Sequence, residues 1–179
     1  LTKAKRSEVL SYLELIAPDK ELVVNSEIVV NNGILNLDGL TIRAFDENYI
    51  CRNKLSVNYV NDAYNEVMDK TLNKIANGDK KLRFLMEEMI GYCFLRRNEL
   101  GKFFILTGSG SNGKSTFLKL IKQIIGRDNI SSISLSQIEH RFKTAELFGK
   151  LVNIGDDISG NYIEENETLK KLVSGDSVN

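Results

Sequence analysis

Residues 108–115 read Gly-Ser-Gly-Ser-Asn-Gly-Lys-Ser, and this octet decides the fold that we expect. It fits the pattern G-x4-G-K-[ST], in which a glycine-rich loop joins a strand to a helix. We call residues 108–113 the glycine loop. Its three glycines let the backbone turn through positive φ angles at little cost. Successive N–H groups can then point inward and form a concave site for an anion. The octet therefore predicts a phosphate-binding loop.

The loop and the residues after it have distinct predicted roles. The ammonium group of Lys114 would contact the β and γ phosphates of ATP and assist catalysis, and the hydroxyl of Ser115 would bind Mg2+. The positive N-terminal end of the next helix would add to the attraction. The predicted nucleotide-binding set is Gly108, Ser109, Gly110, Ser111, Asn112, Gly113, Lys114, Ser115 and Thr116.

The segments around the loop alternate between apolar runs and helical spacing. Residues 102–107 (KFFILT) are predicted to form a buried strand that ends at Gly108. Residues 116–125 are predicted to form a helix with Phe117, Leu118, Ile121, Ile124 and Ile125 on one face, ended by Gly126. The later segments suggest a strand, a helix, a strand and a helix, at 129–135, 137–148, 150–155 and 163–174. This order predicts an α/β domain with a mainly parallel sheet and flanking helices.

Asp156 and Asp157 directly follow the predicted strand 150–155. Adjacent acids at the carboxyl end of such a strand, about forty residues after a phosphate-binding loop, are typical of a second ATP-site element. One carboxylate holds hydrated Mg2+ and the other orients or deprotonates the attacking water. We assign the metal to Asp156, with Ser115, and the water to Asp157.

The first half of the chain predicts a small α+β accessory domain. Residues 3–16 have the spacing of an amphipathic helix, with Val9, Leu10, Leu13 and Ile16 on one face and Pro18 after it. Short apolar runs between residues 21 and 59 predict hairpins, because Asn32-Gly33 and Asp38-Gly39 favour tight turns.

Two further helices are predicted before the loop. They cover residues 61–77 and 81–97, and Gly78 lies between them. Their predicted inward residues are Ala63, Tyr64, Val67, Met68, Leu72 and Ile75 in the first, and Leu82, Leu85, Met86, Met89, Ile90, Cys93 and Phe94 in the second. We place the boundary between an accessory domain (1–98) and an ATPase domain (99–179) near residues 98–101.

Composition limits the class of protein. The chain has 179 residues, 42% hydrophobic and 27% charged, and its formal net charge is zero. This balance argues against a general basic coat for nucleic acid and is compatible with local basic loops. Two cysteines and one histidine cannot form a zinc cluster. The sequence has no apolar run long enough for a membrane span and no signal peptide, so we expect a cytoplasmic protein.

Several ordered motifs resemble the phage and plasmid primase-helicase family, whose ATPase module belongs to superfamily 3 and has poxvirus-type relatives. They are residues 32–37 (NGILNL), 89–93 (MIGYC), 141–142 (RF), 144–147 (TAEL), 149–150 (GK) and 169–176 (LKKLVSGD), together with the loop and the acidic pair. The resemblance covers most of the chain. A Gly-Asp step about twenty residues after the acids makes it more specific than the loop alone.

The resemblance implies an AAA+-type P-loop fold, ATP hydrolysis, a ring-shaped oligomer (a hexamer is expected) and translocation on single-stranded or forked DNA. The host would be a bacterium that carries a phage, prophage or plasmid. The chain begins at Leu1 and ends at Asn179. We therefore expect a piece of a longer protein that lacks the family's sensor asparagine and arginine finger, with an incomplete or rearranged sheet. Such a piece would bind nucleotide weakly and hydrolyse it poorly.

Two other functions stay open. Many relatives have Glu where this chain has Asp157, and a shorter side chain would sit further from the water. A nucleotide-gated module that binds DNA or another protein without turnover is therefore one alternative. A small P-loop kinase is the other, although only Arg127 and Arg141 follow the loop, where such kinases usually supply several arginines.

Overall fold

The computed structural model describes residues 2–16, 26–96, 98, 100–140, 142–155, 158 and 167–176, and for Glu14 the backbone only. Within these residues the protein is a mixed α/β structure with six α-helices, five short strands and two 3-10 helices. The predicted α/β class is confirmed at this level. Predictions at residues 17–25, 156–157 and 159–166 lie outside the described residues; they include the apolar run 22–24, the stop at Pro18 and the acidic pair.

Three short strands form an antiparallel sheet in the first half of the chain. They are β1 (Glu27–Val30), β2 (Gly33–Asn36) and β3 (Thr41–Arg43), and they pair in chain order. Val30 is paired with Gly33, so a two-residue turn of asparagines joins β1 to β2. A Cβ atom at Gly33 would lie only 2.3 Å from the backbone oxygen of Arg43, which explains the glycine. The hairpins predicted at Asn32-Gly33 and Asp38-Gly39 are confirmed.

Three α-helices precede the glycine loop within the described residues. They are α1 (Lys3–Ile16), α2 (Glu66–Ala76) and α3 (Lys80–Tyr92). α2 begins later than predicted because the side chain of Asn65 accepts a hydrogen bond from the N–H of Met68 at 2.9 Å and caps the helix. Asp79 caps α3 in the same way, through the N–H groups of Lys81 and Leu82.

The predicted inward faces of these helices are wrong in part. On α1 the four predicted inward residues are each at least half exposed (Val9, Leu10, Leu13 and Ile16). Tyr64 precedes α2 and is exposed, and Val67 is 74% exposed. Val67 and Leu72 are five positions apart on a helix, roughly 140° around its axis, so they cannot share a narrow buried face. Leu82 and Leu85 are also exposed, whereas Met86, Met89 and Ile90 are buried as predicted.

The second half of the chain contains one long helix and a small parallel sheet. α4 (Lys114–Ile125) is confirmed, with Phe117, Ile121 and Ile125 buried and Gly126 at its end. β4 (Ile130–Ser131) pairs in parallel with β5 (Val152–Asn153), so both predicted strands exist but are only two residues long. The last helix is α6 (Glu167–Ser174).

The mostly helical segment predicted at 137–148 is confirmed only in part, because it is divided in two. The structure has α5 (Leu135–Ile138) followed by a 3-10 helix (Lys143–Leu147). Between them the backbone of Phe142 has φ 67°, a left-handed conformation that a continuous right-handed helix cannot include. Sequence spacing alone did not reveal this break.

The predicted buried strand 102–107 is also wrong. These residues belong to no strand of either sheet, and Phe103, Phe104 and Ile105 are 50%, 43% and 53% exposed. Neither sheet of the described residues includes a neighbour for this run. Without a neighbouring strand, its backbone lacks a hydrogen-bond ladder and its side chains lack a second layer to cover them.

One hydrophobic core includes residues from both sides of the predicted domain boundary. Residues before the glycine loop contribute Ile28, Val30, Leu35, Leu55, Leu72, Ala76, Met86, Met89 and Ile90, and residues after it contribute Phe117, Ile121, Ile125 and Ile154. The division at 98–99 remains a prediction. In the described ranges, no helix has both the length and the hydropathy that a membrane span requires.

Candidate functional site

The N-terminal end of α4 has no side-chain cap, because its capping residue is a glycine. Gly113 is the capping residue, with φ 85°, and no side chain forms a hydrogen bond at this cap. The first intrahelical bond runs from the N–H of Phe117 to the oxygen of Gly113 at 2.9 Å. The N–H groups of the first turn therefore have no helical acceptor, and the helix dipole adds partial positive charge. This end of α4 is suited to an anion.

The glycine loop in front of α4 turns through several left-handed conformations. Gly110, Ser111 and Gly113 have φ angles of 103°, 47° and 85°. Left-handed residues alternating with other conformations direct backbone N–H groups toward a common concave side. At Gly108 the limit is space, because a Cβ atom there would lie 1.7 Å from Nδ2 of Asn112. The spacing of the glycines thus matches geometric needs of the loop.

Lys114 folds back over the glycine loop. Its Nζ donates to the backbone oxygen of Gly108 at 3.2 Å and to Oδ1 of Asn112 at 3.0 Å. Lys114, which is predicted to contact the phosphates, therefore lies directly beside the glycine loop. Asn112 links the two ends of the loop, because its side chain lies against Gly108 and its Oδ1 accepts a hydrogen bond from Lys114.

The remaining predicted loop residues are placed around this centre. Ser109, Ser111, Ser115 and Thr116 are all exposed, and the last two belong to the first turn of α4. Nine predicted nucleotide-binding residues thus form one continuous loop and helix start. The arrangement brings the Ser115 hydroxyl to the same helix end as Lys114.

Behind the loop, α2 packs against Gly113. A Cβ atom built at Gly113 would lie 2.6 Å from Cγ1 and 3.2 Å from Cδ1 of Ile75. Glycine is therefore needed here both for its positive φ angle and for this close approach. Helical spacing predicts that Ile75 faces inward, but no sequence signal predicts its contact with the loop.

The opposite end of α4 is held by a buried amide. Nδ2 of Asn129 donates to the backbone oxygens of Ile125 and Lys54, each at 2.8 Å. Its Oδ1 accepts from Nδ2 of Asn53 at 3.0 Å. Asn53 also donates to the oxygen of Gly149 and accepts from Nη2 of Arg96 at 3.1 Å. No sequence pattern predicts this network, because it joins segments far apart in the chain.

β5 leads directly to the position of the predicted acidic pair. Asn153 at the end of β5 donates to the oxygen of Ile133 and accepts from its N–H, both at 2.9 Å. Ile154 is buried, and a Cβ atom at Gly155 would lie 3.0 Å from the oxygen of Ile133. The chain is thus fixed up to residue 155. Asp156 and Asp157 themselves lie outside the described residues.

The described residues fit the phosphate part of ATP. The loop has positive φ angles at Gly110, Ser111 and Gly113, N–H groups without a helical acceptor at the start of α4 and a lysine close by. For Mg2+, the fit rests on the exposed hydroxyl of Ser115, because the second predicted ligand is not among the described residues. The donor set therefore supports an anion site, with one candidate oxygen for a metal.

A second cluster anchors α6. The carboxylate of Glu139 accepts hydrogen bonds from the N–H groups of Thr168 and Leu169, each at 3.2 Å. Burial raises the pKa of Glu139, but hydrogen bonds from Thr168 and Leu169 and the charge of Lys171 outweigh it, so the pKa is lowered. At the other end of α6, Asn98 donates to the oxygens of Leu172 and Val173.

An open groove of about 490 Å³ lies beside α6. It is lined by Gly101, Phe103, Leu169, Lys170, Val173 and Ser174. None of these is a residue of the glycine loop or of the first turn of α4. The groove is therefore separate from the candidate anion site.

A family model matches the second half of the chain. Residues 106–179 match a family of unknown function, DUF5906. The match begins just before Gly108 and includes the glycine loop, α4, the parallel strands and α6. It leaves out the antiparallel sheet, α2 and α3. The match places the glycine loop in one family segment with the residues after it. The family's description names no activity.

Proposed function

We propose that this chain is the ATP-binding part of a DNA helicase or translocase of the phage and plasmid primase-helicase type. The single observation that carries the proposal is the glycine loop, with Lys114 folded onto Gly108 and an uncapped helix end beside it. In this proposal the α/β structure is a P-loop fold of the AAA+ type. The protein acts on DNA as a hexameric ring in the cytoplasm of a bacterial host.

The proposed reaction is the hydrolysis of ATP. N–H groups of the loop and of the α4 start bind the β and γ phosphates, and Lys114 leaves Asn112 to contact them. A Mg2+ ion held by Ser115 and Asp156 would neutralise phosphate charge. Asp157 accepts a proton from water, whose oxygen bonds to the γ phosphorus as the bond to the β–γ bridging oxygen breaks. The products are ADP and inorganic phosphate.

A second candidate function rests on one residue. Many members of the primase-helicase family have glutamate at the position of Asp157. The aspartate side chain is one methylene shorter. Misplacement on the scale of an ångström can slow catalysis by roughly a hundredfold. A module that binds ATP and changes its affinity for DNA, without turnover, would use the same loop.

Phosphate release from ATP by the protein as it is made in its host, with and without single-stranded DNA, separates these functions. A motor releases phosphate and is stimulated by DNA, and Lys114→Ala abolishes the release. A gate binds ATP without release. A kinase also releases little inorganic phosphate, and instead forms ADP and a phosphorylated product when a hydroxyl acceptor is supplied. If the wild-type chain fails to bind ATP at millimolar concentration, the proposed site is wrong.

A further inference from the structure

We infer that Ile75 is a positioning residue for the glycine loop, so that nucleotide affinity depends on a helix that precedes the loop by more than thirty residues. The inference rests on the proposed function and extends it, because it assigns control of the anion site to α2. α2 lies outside the part of the chain that matches the family model.

The contact is specific in position. Gly113 is the last residue of the glycine loop and the cap of α4, so its backbone sets the direction of both. Ile75 presents Cγ1, Cδ1 and Cγ2 to the point where a Cβ atom of residue 113 would be, at 2.6, 3.2 and 3.4 Å. The side chain therefore fills the space behind the loop and limits how far Gly113 can move backward.

α2 is itself held firmly, so it can serve as a fixed support. Asn65 caps its start, and Leu72 and Ala76 are buried in the core. Oδ1 of Asp69 forms an ion pair with Nη2 of Arg83 at 2.9 Å, and Arg83 also pairs with Glu87 on α3. Ile75 thus projects from a helix that is fixed to its neighbour and to the core.

This support affects binding because the anion site consists mainly of backbone. A bound phosphate needs several N–H groups aligned at once, and their alignment depends on the φ angles of Gly110, Ser111 and Gly113. A shorter side chain at position 75 would leave a gap behind Gly113 and permit other loop conformations. Binding would then have to order the loop, which weakens it.

The test compares Ile75→Ala with two controls on the same helix. Leu72→Ala removes a fully buried side chain that is not among the nearest neighbours of Gly113, and Val67→Ala changes an exposed residue. Binding of ADP and ATP is measured by calorimetry below the melting temperature of each variant. We expect Ile75→Ala to weaken binding roughly 5- to 10-fold and Ile75→Val to lie between it and wild type. Leu72→Ala should lose more stability yet bind within about twofold of wild type.

Hydrogen exchange of the loop amides gives a second readout that needs no ligand. Residues 108–116 should exchange several-fold faster in Ile75→Ala than in Leu72→Ala. If wild type binds ATP and both readouts are the same in Ile75→Ala and Leu72→Ala, the positioning role is wrong and the proposed function stands. If wild type binds no nucleotide, the proposed function is wrong, and unchanged exchange in Ile75→Ala would overturn the positioning role as well.

Discussion

Nδ2 of Asn53 donates a hydrogen bond to Oδ1 of Asn129 at 3.0 Å, and both side chains are almost fully buried. The pair joins the segment after the antiparallel sheet to the turn between α4 and β4. Asn129 also satisfies the oxygens of Ile125 and Lys54. Two amides thus fix the end of α4 that is farthest from the glycine loop.

Asn129→Ala should destabilise the protein strongly. The substitution leaves two backbone oxygens and one side-chain N–H of Asn53 without these hydrogen bonds. Buried unsatisfied groups cost about 1–3 kcal/mol each. We expect a loss of about 2–4 kcal/mol in the free energy of unfolding, measured by urea denaturation. Asn73→Ala is the control, because Asn73 bonds to Asp69 in an exposed position. A change below about 0.5 kcal/mol at Asn129 would contradict the network.

Gly113→Ala should cost more stability than Gly78→Ala. Both glycines have similar φ angles, 85° and 80°, but no atom lies within 4 Å of a Cβ built at Gly78. Gly78→Ala therefore measures the conformational cost alone, about 1–2 kcal/mol. Gly113→Ala adds the collision with Ile75, which should raise the loss by about 1–3 kcal/mol. Urea denaturation of the two variants gives the difference, and equal losses would show that α2 does not press on the loop.

Lys114→Ala should remove most nucleotide binding. The ammonium group is the one side-chain cation that donates into the glycine loop among the described contacts. Hydrogen bonds to charged groups contribute about 1.5–3 kcal/mol, so affinity should fall by at least about tenfold in a fluorescence titration with labelled ATP. Lys119→Ala, an exposed change on the same helix, should bind like wild type. Equal affinity in Lys114→Ala would place the site elsewhere.

Glu139 should make stability depend on pH. Its pKa in the folded protein lies below the ordinary value of 4.5, so the folded state favours the carboxylate. The contribution is therefore present above the unfolded pKa and is lost as the pH falls through the folded pKa. Glu139→Gln should destabilise the protein at pH 7 and differ less from wild type at pH 3.5. Urea denaturation at the two pH values checks this, and a gap that stays constant would show that Glu139 does not titrate with folding.

Local signals explain which parts of the fold were predicted correctly. Asn32-Gly33 marks a tight turn without reference to the rest of the chain, and the β1–β2 hairpin follows from it. The helix after the glycine loop follows in the same way, because the glycines at 108, 110 and 113 allow positive φ angles, although α4 begins two residues earlier than predicted. The helical spacing after them then identifies the buried face of α4.

Contacts between distant segments explain the failures. Residues 102–107 have the composition of a buried strand, but a strand also needs a neighbour, and composition does not provide one. Phe142 adopts a left-handed conformation that its residue type does not suggest. The approach of Ile75 to Gly113 and the bond between Asn53 and Asn129 both depend on how helices and loops pack. Sequence periodicity contains no information about such pairs.

The side chain of Asn153 makes two bonds to the backbone of Ile133 that resemble those between neighbouring strands. Ile133 lies outside β4, yet its amide is bonded and its side chain is 1% exposed. Protection against solvent should therefore continue past the end of the parallel pair. Ile133 should remain unlabelled in deuterium oxide about as long as the strand amides do, so the rigid part of this sheet extends further than its two-residue strands indicate.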